Sequence, residues 1–273
     1  MSLAAYFRLM RAGWVLAREG ALAMADSEAL PPVFRAGVRF GRLFERSDVK
    51  RTGRIERLTR ALNKLGPTYV KFGQTLATRP DIVGPAFAAE LSVLQDKMEP
   101  FDQTLVPKLL ADALGARAAE LTELSAPIAA ASIAQVHKAV VLRDGLRREV
   151  AVKILRPGVR QRFRDDIESY YAGARLAEAL VRDLRRLRPL DVVKTLDYSA
   201  KLELDLRLEA AAISEFTGNI EKDAGFRAPT VSWDHTADTV LTTDWIDGIP
   251  IRDLAALDAA GLDRGELARK ILQ

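Results

Sequence analysis

The sequence contains no cysteine among its 273 residues. That excludes a disulfide scaffold, a thiolate zinc site and a cysteine nucleophile, and it fits a reducing compartment. Histidine is nearly as scarce. His137 and His235 are the only two, too few for a His-rich metal site or a histidine-relay hydrolase to be expected. No run of 18 uncharged apolar residues occurs, so no segment reads as a bilayer-spanning helix. The first residues lack a basic cluster followed by an apolar core and a small-residue cleavage site. They read as mature sequence rather than a secretion signal. Internal repeats and low-complexity tracts are also missing, apart from a mild richness in alanine and arginine.

What is present is ordinary for a globular chain: 48% hydrophobic and 29% charged residues, with a formal net charge of +4. The length allows one large domain or two smaller ones. The charge is uneven. Residues 1–60 hold 12 Lys and Arg against 6 Asp and Glu, a net of +6, whereas the remainder nets −2. Within that basic segment Leu3, Phe7, Met10 and Trp14 fall at i, i+4, i+7 and i+11, which places them on one helical face. Arg8, Arg11 and Arg18 lie beside or opposite it. Such a helix either packs its stripe on its own domain or lies flat on an anionic membrane surface. Nucleic acid is not expected as a partner, because the arginines are interleaved with acidic and apolar residues and no recognition pattern accompanies them.

The first 120 residues read as helix and turn. Helical stretches are expected up to Pro31-Pro32, from Val33 to Leu65 with an interruption near Ser47-Asp48, over Thr68–Ala77, over Pro85–Gln95 and over Pro107–Leu114. Near Leu121 the pattern changes. Ile128–Leu142 and Glu149–Leu155 flank the turn Arg143-Asp144-Gly145 and read as an antiparallel hairpin. A long charged helix over Val159–Arg188 and a second over Asp191–Phe216 follow. Two strands are expected at Pro229–Trp233 and Thr239–Trp245, then a linker at Asp247–Pro250 and a helix over Ile251–Gln273.

Four features within this order bear on chemistry. Lys153 sits in the apolar strand Ala151-Val152-Lys153-Ile154, where an ammonium is costly to bury without a partner. A phosphate and a carboxylate are the usual partners in a nucleotide site, although an edge-strand lysine reaching solvent fits the same string. Upstream, Ala129-Ala130-Ala131-Ser132-Ile133-Ala134-Gln135-Val136 occupies the slot where kinases carry a Gly-rich loop. Alanine permits close approach to phosphate but not the positive-φ freedom of glycine, so a stiffer loop is expected; tight packing is the plainer reading. Downstream, Asp205 and Glu209 are i, i+4 and would share a helix face, with Glu209 placed to pair with Lys153 and Glu203 about 120° around. Finally, Lys71 and Gln74 are i, i+3 on a helix notched by Gly73.

Taken together, Lys71-Phe72-Gly73-Gln74 after Gly66-Pro67, the alanine-rich run, Val150-Ala151-Val152-Lys153 and Glu203-Leu204-Asp205 with Glu209 resemble the UbiB family. These are atypical protein-kinase-like proteins of ubiquinone biosynthesis. The resemblance runs over about residues 63–248, and it rests on four motifs in the family's order. It implies an α+β fold: a protein-kinase-like small lobe, an antiparallel sheet plus an αC-type helix, preceded by a family-specific helical extension. With the basic amphipathic segment over 1–62, it implies the extension over 63–120, the small lobe over 121–248 and the start of a large lobe over 249–273.

The same resemblance implies roles. Lys153 would contact the α- and β-phosphates and Glu209 would orient it. Ala129, Ala130, Ala131, Ser132, Ile133, Ala134 and Val136 would line the nucleotide, and Asp244, Trp245 and Ile246 would form the hinge beside adenine. Lys71, Gly73 and Gln74 would belong to a helix that folds over the site, met by Glu203 and Asp205. ATP or ADP with Mg is the implied cofactor, the Mg ligands lying outside this chain. The implied partners are nucleotide, an anionic membrane surface and quinone-pathway proteins; the implied location is cytoplasmic, peripheral to the inner membrane.

The 273 residues contain neither a His-x-Asp catalytic loop nor an Asp-Phe-Gly string. The expectation is therefore a large lobe cut short at Gln273 and a nucleotide lobe inactive by itself. A pseudokinase-like binding module is the alternative. The family's older label, polyprenylphenol hydroxylase, is a weaker one, since no dinucleotide glycine fingerprint is present.

Overall fold

The computed structural model describes residues 2–24, 32–49, 52–92, 98–143, 145–223, 225–251 and 253–271. Pro31, Gln95, Asp144 and Gln273, named above at element ends or turns, lie outside the described residues. In chain order the elements are α1 (Leu3–Arg18), α2 (Pro32–Arg42), α3 (Arg54–Leu65), α4 (Pro67–Ala77), α5 (Pro80–Val83), α6 (Pro85–Ser92) and α7 (Val106–Leu114). Then come β1 (Leu121–Thr122), β2 (Pro127–Ala130), β3 (Ala134–Arg143), β4 (Leu146–Leu155), α8 (Val159–Leu180), α9 (Pro189–Glu203) and α10 (Leu206–Asn219). β5 (Val240–Asp244), α11 (Leu254–Ala259) and α12 (Arg264–Ile271) complete the described chain. The fold is thus mixed, helices together with an antiparallel sheet.

Two compact units interleave along the sequence. The first comprises residues 1–104, 127–136 and 154–205; the second comprises 105–126, 137–153 and 206–273.

The first unit is helical. Leu58, Leu62 and Leu65 of α3, Tyr69 and Val70 of α4, Ile167 and Tyr170 of α8 and Leu196 of α9 form one buried cluster. Tyr170 meets Tyr69 edge-on and stacks on Phe72, both rings about 5 Å away centroid to centroid. Burial pushes the Tyr69 hydroxyl up to about 12 and raises the Asp166 carboxyl beside it. Gly66 joins α3 to α4 at φ 107°, ψ −172°, a conformation open only to glycine. The Arg162 guanidinium lies against its Cα and donates to the Leu65 carbonyl at 2.6 Å.

α1 packs by its small side. Ala5, Ala12 and Ala17 are buried, and Arg8 donates to Glu168 and Ser169 of α8. The stripe of Leu3, Phe7, Met10 and Trp14 faces outward, each residue 46–79% exposed. Alanines let the two helices approach closely, which turns the large residues away from the core.

In the second unit the strands lie in the order β1-β3-β4-β5. β1 pairs antiparallel with β3, Leu121 opposite Val141 and Thr122 opposite Val140. Only two residues separate β3 from β4, a link that fits antiparallel neighbours alone. Val140, Val150, Val152, Val240, Leu241, Leu206 and Ala210 are buried there.

Several elements differ from the sequence expectation. The helix expected over Val159–Arg188 stops at Leu180, because Val181 is extended; a 3-10 segment, Arg182–Leu187, follows, and Arg188 before Pro189 is left-handed. The helix expected over Asp191–Phe216 is two helices. The Leu204 carbonyl accepts from the Arg160 guanidinium at 3.0 and 2.7 Å instead of continuing the ladder. Two residues on, the Leu206 N–H donates to Asp238 O at 3.0 Å and starts α10 in the second unit. Asp205 therefore lies in a non-helical link, and its i, i+4 spacing to Glu209 does not put the two on one helical face. The strand expected at Pro229–Trp233 reduces to a single bridge, Val231 to Thr243, since Trp233–His235 coils into a 3-10 turn around buried His235. The last expected helix is two, parted where Gly261 takes φ 70°.

Gly66→Ala should lower stability by about 2 kcal/mol or more, combining strained backbone with displacement of Arg162. Gly37→Ala, in open space inside α2, should instead stabilise by about 0.5–1 kcal/mol. Midpoints of urea unfolding for the two variants check both signs.

Candidate functional site

β4 owes its position to alternation. Val150, Val152 and Ile154 are buried, which leaves Ala151 and Lys153 on the opposite, half-covered side. The Lys153 Nζ lies 2.8 and 2.7 Å from the two carboxylate oxygens of Glu209, 56 residues away in sequence. Glu209 stands in the first turn of α10, where the helix dipole favours negative charge. The side chains keep 28% and 43% of their exposure, so the pair contributes at most about 1 kcal/mol. Its effect is directional: one carboxylate, gripping with both oxygens, fixes where the ammonium points. Both residues belong to the second unit.

Asp244, Trp245 and Ile246 lie at and just beyond the end of β5. The Asp244 N–H donates to Thr230 O at 2.9 Å and the Trp245 N–H to Glu149 O at 3.1 Å. These two amides are used by backbone hydrogen bonds and are not free for other partners. The Asp244 carboxylate pairs with Arg148. Trp245 is held between Lys138, whose Nζ lies 5.0 Å from the ring centroid, and Asp247, which accepts its indole N–H at 2.7 Å.

In the first unit, Lys71 of α4 pairs with Glu203, the last residue of α9. Gly73 is buried and Gln74 half-buried on the same helix. Asp205 follows two residues after Glu203 in the link described above. The alanine-rich run also lies in this unit and forms the β2–β3 connection. The Ala131 N–H donates to Ala134 O at 2.8 Å, closing a tight turn. Ser132, Ile133 and Ala134 are buried, Ala131 and Val136 half-buried, and Ala129 exposed.

Sequence reasoning passed over Arg156, which clamps that turn. Its N–H donates to Ile133 O at 2.9 Å, its Nε to Ala131 O at 3.0 Å and its Nη2 to Glu99 O at 2.7 Å. The available signal was a lone arginine between an apolar strand and Pro157-Gly158. The fate of both histidines was also unread. His137 meets Ser125 O through Nδ1 at 2.8 Å. His235 sits between Ser232 Oγ at 2.9 Å and Glu120 at 3.1 Å. The Glu120 carboxyl is held below its usual range, chiefly by a hydrogen bond from Arg117. Among the described residues no cluster of three or more His, Asp or Glu side chains is placed to hold a metal ion.

A strand lysine gripped by a helix glutamate is the arrangement of a kinase small lobe, and comparison with known proteins agrees. The sequence profile of the ABC1 atypical kinase-like domain matches residues 93–273. The chain belongs to this UbiB-containing family of atypical kinase-like proteins. Its UbiB relatives include the probable protein kinase UbiB of Xanthomonas campestris pv. campestris (strain B100), 41% identical over 82% of this chain and 41% of the relative. The protein of the same name from Cellvibrio japonicus (strain Ueda107) is 42% identical over 81% of this chain and 40% of that one. The one from Xylella fastidiosa (strain 9a5c) is 37% identical over 97% and 48%. The chain thus spans about 40% to half the length of the UbiB relatives it matches.

Arg156→Ala should loosen the alanine-rich turn by freeing the Ala131 and Glu99 carbonyls, while the backbone bond to Ile133 O remains. Amide hydrogen exchange should rise several-fold at residues 131–134, and protection in β4 should stay unchanged.

Proposed function

We propose that the chain is the nucleotide-binding, N-terminal portion of a UbiB-type atypical kinase or ATPase that supports ubiquinone biosynthesis. The observation that carries this reading is the bidentate Lys153–Glu209 pair in a chain of this family. Lys153 engages the α- and β-phosphates of ATP or ADP, and Glu209 orients it. The alanine-rich run from Ala129 to Ala134, with Val136, covers the phosphates, and Asp244 to Ile246 face the base. Lys71, Gly73, Gln74, Glu203 and Asp205 form a regulatory element that restricts access. In chain order, 1–62 is the basic segment, 63–120 the extension, 121–248 the small lobe and 249–273 the start of a large lobe. Magnesium and the base for phosphoryl transfer come from residues outside the chain, so the lobe binds nucleotide without turning it over.

Nucleotide titration checks the site. Lys153→Ala should weaken binding of a fluorescent ATP analogue roughly tenfold or more, the size of a lost charge-assisted hydrogen bond. Glu209→Ala should weaken it less, leaving the ammonium present but unaimed. Wild-type affinity in both variants sinks the assignment.

A second reading concerns the partner surface. No helix among the described residues is long and apolar enough to cross a membrane. The outward stripe of α1 nevertheless continues into an exposed aromatic cluster, Trp14 on Phe44 and Phe44 on Phe40, at centroid distances of 5.1 Å. With the excess of arginine in this segment, the surface suits peripheral contact with anionic lipid on the cytoplasmic side of the inner membrane, where quinone-pathway enzymes would be met. Wild-type protein should float with vesicles containing phosphatidylglycerol. A Leu3→Glu, Phe7→Glu, Trp14→Glu triple variant should stay at the bottom with an unchanged circular-dichroism spectrum. Equal flotation removes the membrane from this reading.

A further inference from the structure

The helical unit contains a partly open apolar pocket of about 350 Å³, lined by α1, α4, α5, α8, α9 and the 3-10 segment before Pro189. Leu9, Phe72, Leu76, Ala177, Leu184 and Val192 are among its walls, and every lining residue is aliphatic, glycine, proline or aromatic, Tyr170 alone carrying a hydroxyl. Close-packed interiors rarely leave voids larger than a water molecule. This one is more than twice the roughly 150 Å³ of an engineered apolar cavity that takes up benzene. It reaches the size range of about 300–1,000 Å³ in which small-molecule sites fall.

The space arises from residue choice. On the inward side of α8, Gly173, Ala174 and Ala177 stand where larger side chains would close it. A Cβ on Gly173 would already meet Leu9 at 3.4 Å. The walls are packed helices, joined by the Tyr170–Phe72 stack on one side, so the void is held open rather than free to collapse.

We infer that this cavity is a binding site for a single uncharged hydrocarbon group, a straight or branched chain of about a dozen carbons, allowing about 30 Å³ per carbon as for one water. Charged ligands are disfavoured, since no lining side chain carries charge; the one polar side-chain group among the lining residues is the Tyr170 hydroxyl, buried and without a hydrogen-bond partner. The volume matches a small occupant better than a protein helix, of which, at about 10 Å in diameter, it would take in less than one turn. The inference stands apart from the nucleotide reading, because every lining residue belongs to the helical unit.

The test is titration with the neutral fluorophore N-phenyl-1-naphthylamine and its displacement by 1-dodecanol. Wild-type protein should bind the probe saturably at one site and release it to the alcohol. Ala177→Phe, which fills the cavity, should weaken the probe roughly tenfold or more, whereas Ala179→Phe, exposed on the same helix, should not. Leu184→Trp, on the 3-10 wall, supplies a second plug should Ala177→Phe not fold. The triple-Glu variant of α1 should bind the probe as wild type does. Absence of saturable binding, equal affinity in plugged and control variants, or loss of binding in the triple variant would each overturn the assignment.

Discussion

The grip of Arg160 on the Leu204 carbonyl is the contact on which the arrangement of acidic groups depends. An uninterrupted helix through residues 191–216 would set Glu203 and Glu209 about 120° apart on one rod. Arg160 takes the carbonyl that residue 208 would otherwise use, and Asp238 takes the N–H of Leu206. The helix therefore ends and restarts within three residues. Glu203 finishes in the first unit facing Lys71, and Glu209 opens a helix in the second facing Lys153. Each carboxylate gains its own ammonium, and Glu209 gains a helix N-terminus as well.

The elements that could be read in advance are those whose signals are local. The apolar, β-branched runs around Gly145 gave the β3–β4 pair, although the first, expected as one strand over Ile128–Leu142, is divided by the turn at 131–133 into β2 and β3; Pro and Gly marked the ends of α4 and α7. Lys153 stood out because an ammonium in an apolar strand demands a partner, and Glu209 was found from its sequence setting. The elements that escaped depend on distant groups. No periodicity announces that Arg160 will take the carbonyl of Leu204, and so Asp205 looked helical. Val231 and Trp233 look like strand, yet the segment turns to place His235 between Ser232 and Glu120. The stripe on α1 was correctly grouped on one face, but its direction was decided by Ala5 and Ala12, whose small size carries almost no weight in a hydrophobic pattern.

The alanine-rich turn shows a different compromise between freedom and precision. Glycines in such a position allow many backbone shapes, and a ligand must select one. Here Arg156 fixes two carbonyls of the turn, and Ser132, Ile133 and Ala134 are packed inside. The conformational cost is met on folding, before any ligand arrives. A turn built this way is fixed in one shape, and it forgoes the adaptability that glycine provides.

The partial exposure of the Lys153–Glu209 pair has a consequence for exchange. A deeply sunk ion pair resists substitution, because parting its members strands an unsolvated charge. Here water can reach both groups, so the ammonium can loosen one oxygen of the carboxylate and accept another anion without passing through a dehydrated, solitary state. A side chain held in this manner is aimed yet still available, able to trade half of its hold for a newcomer and to take it back when the newcomer leaves.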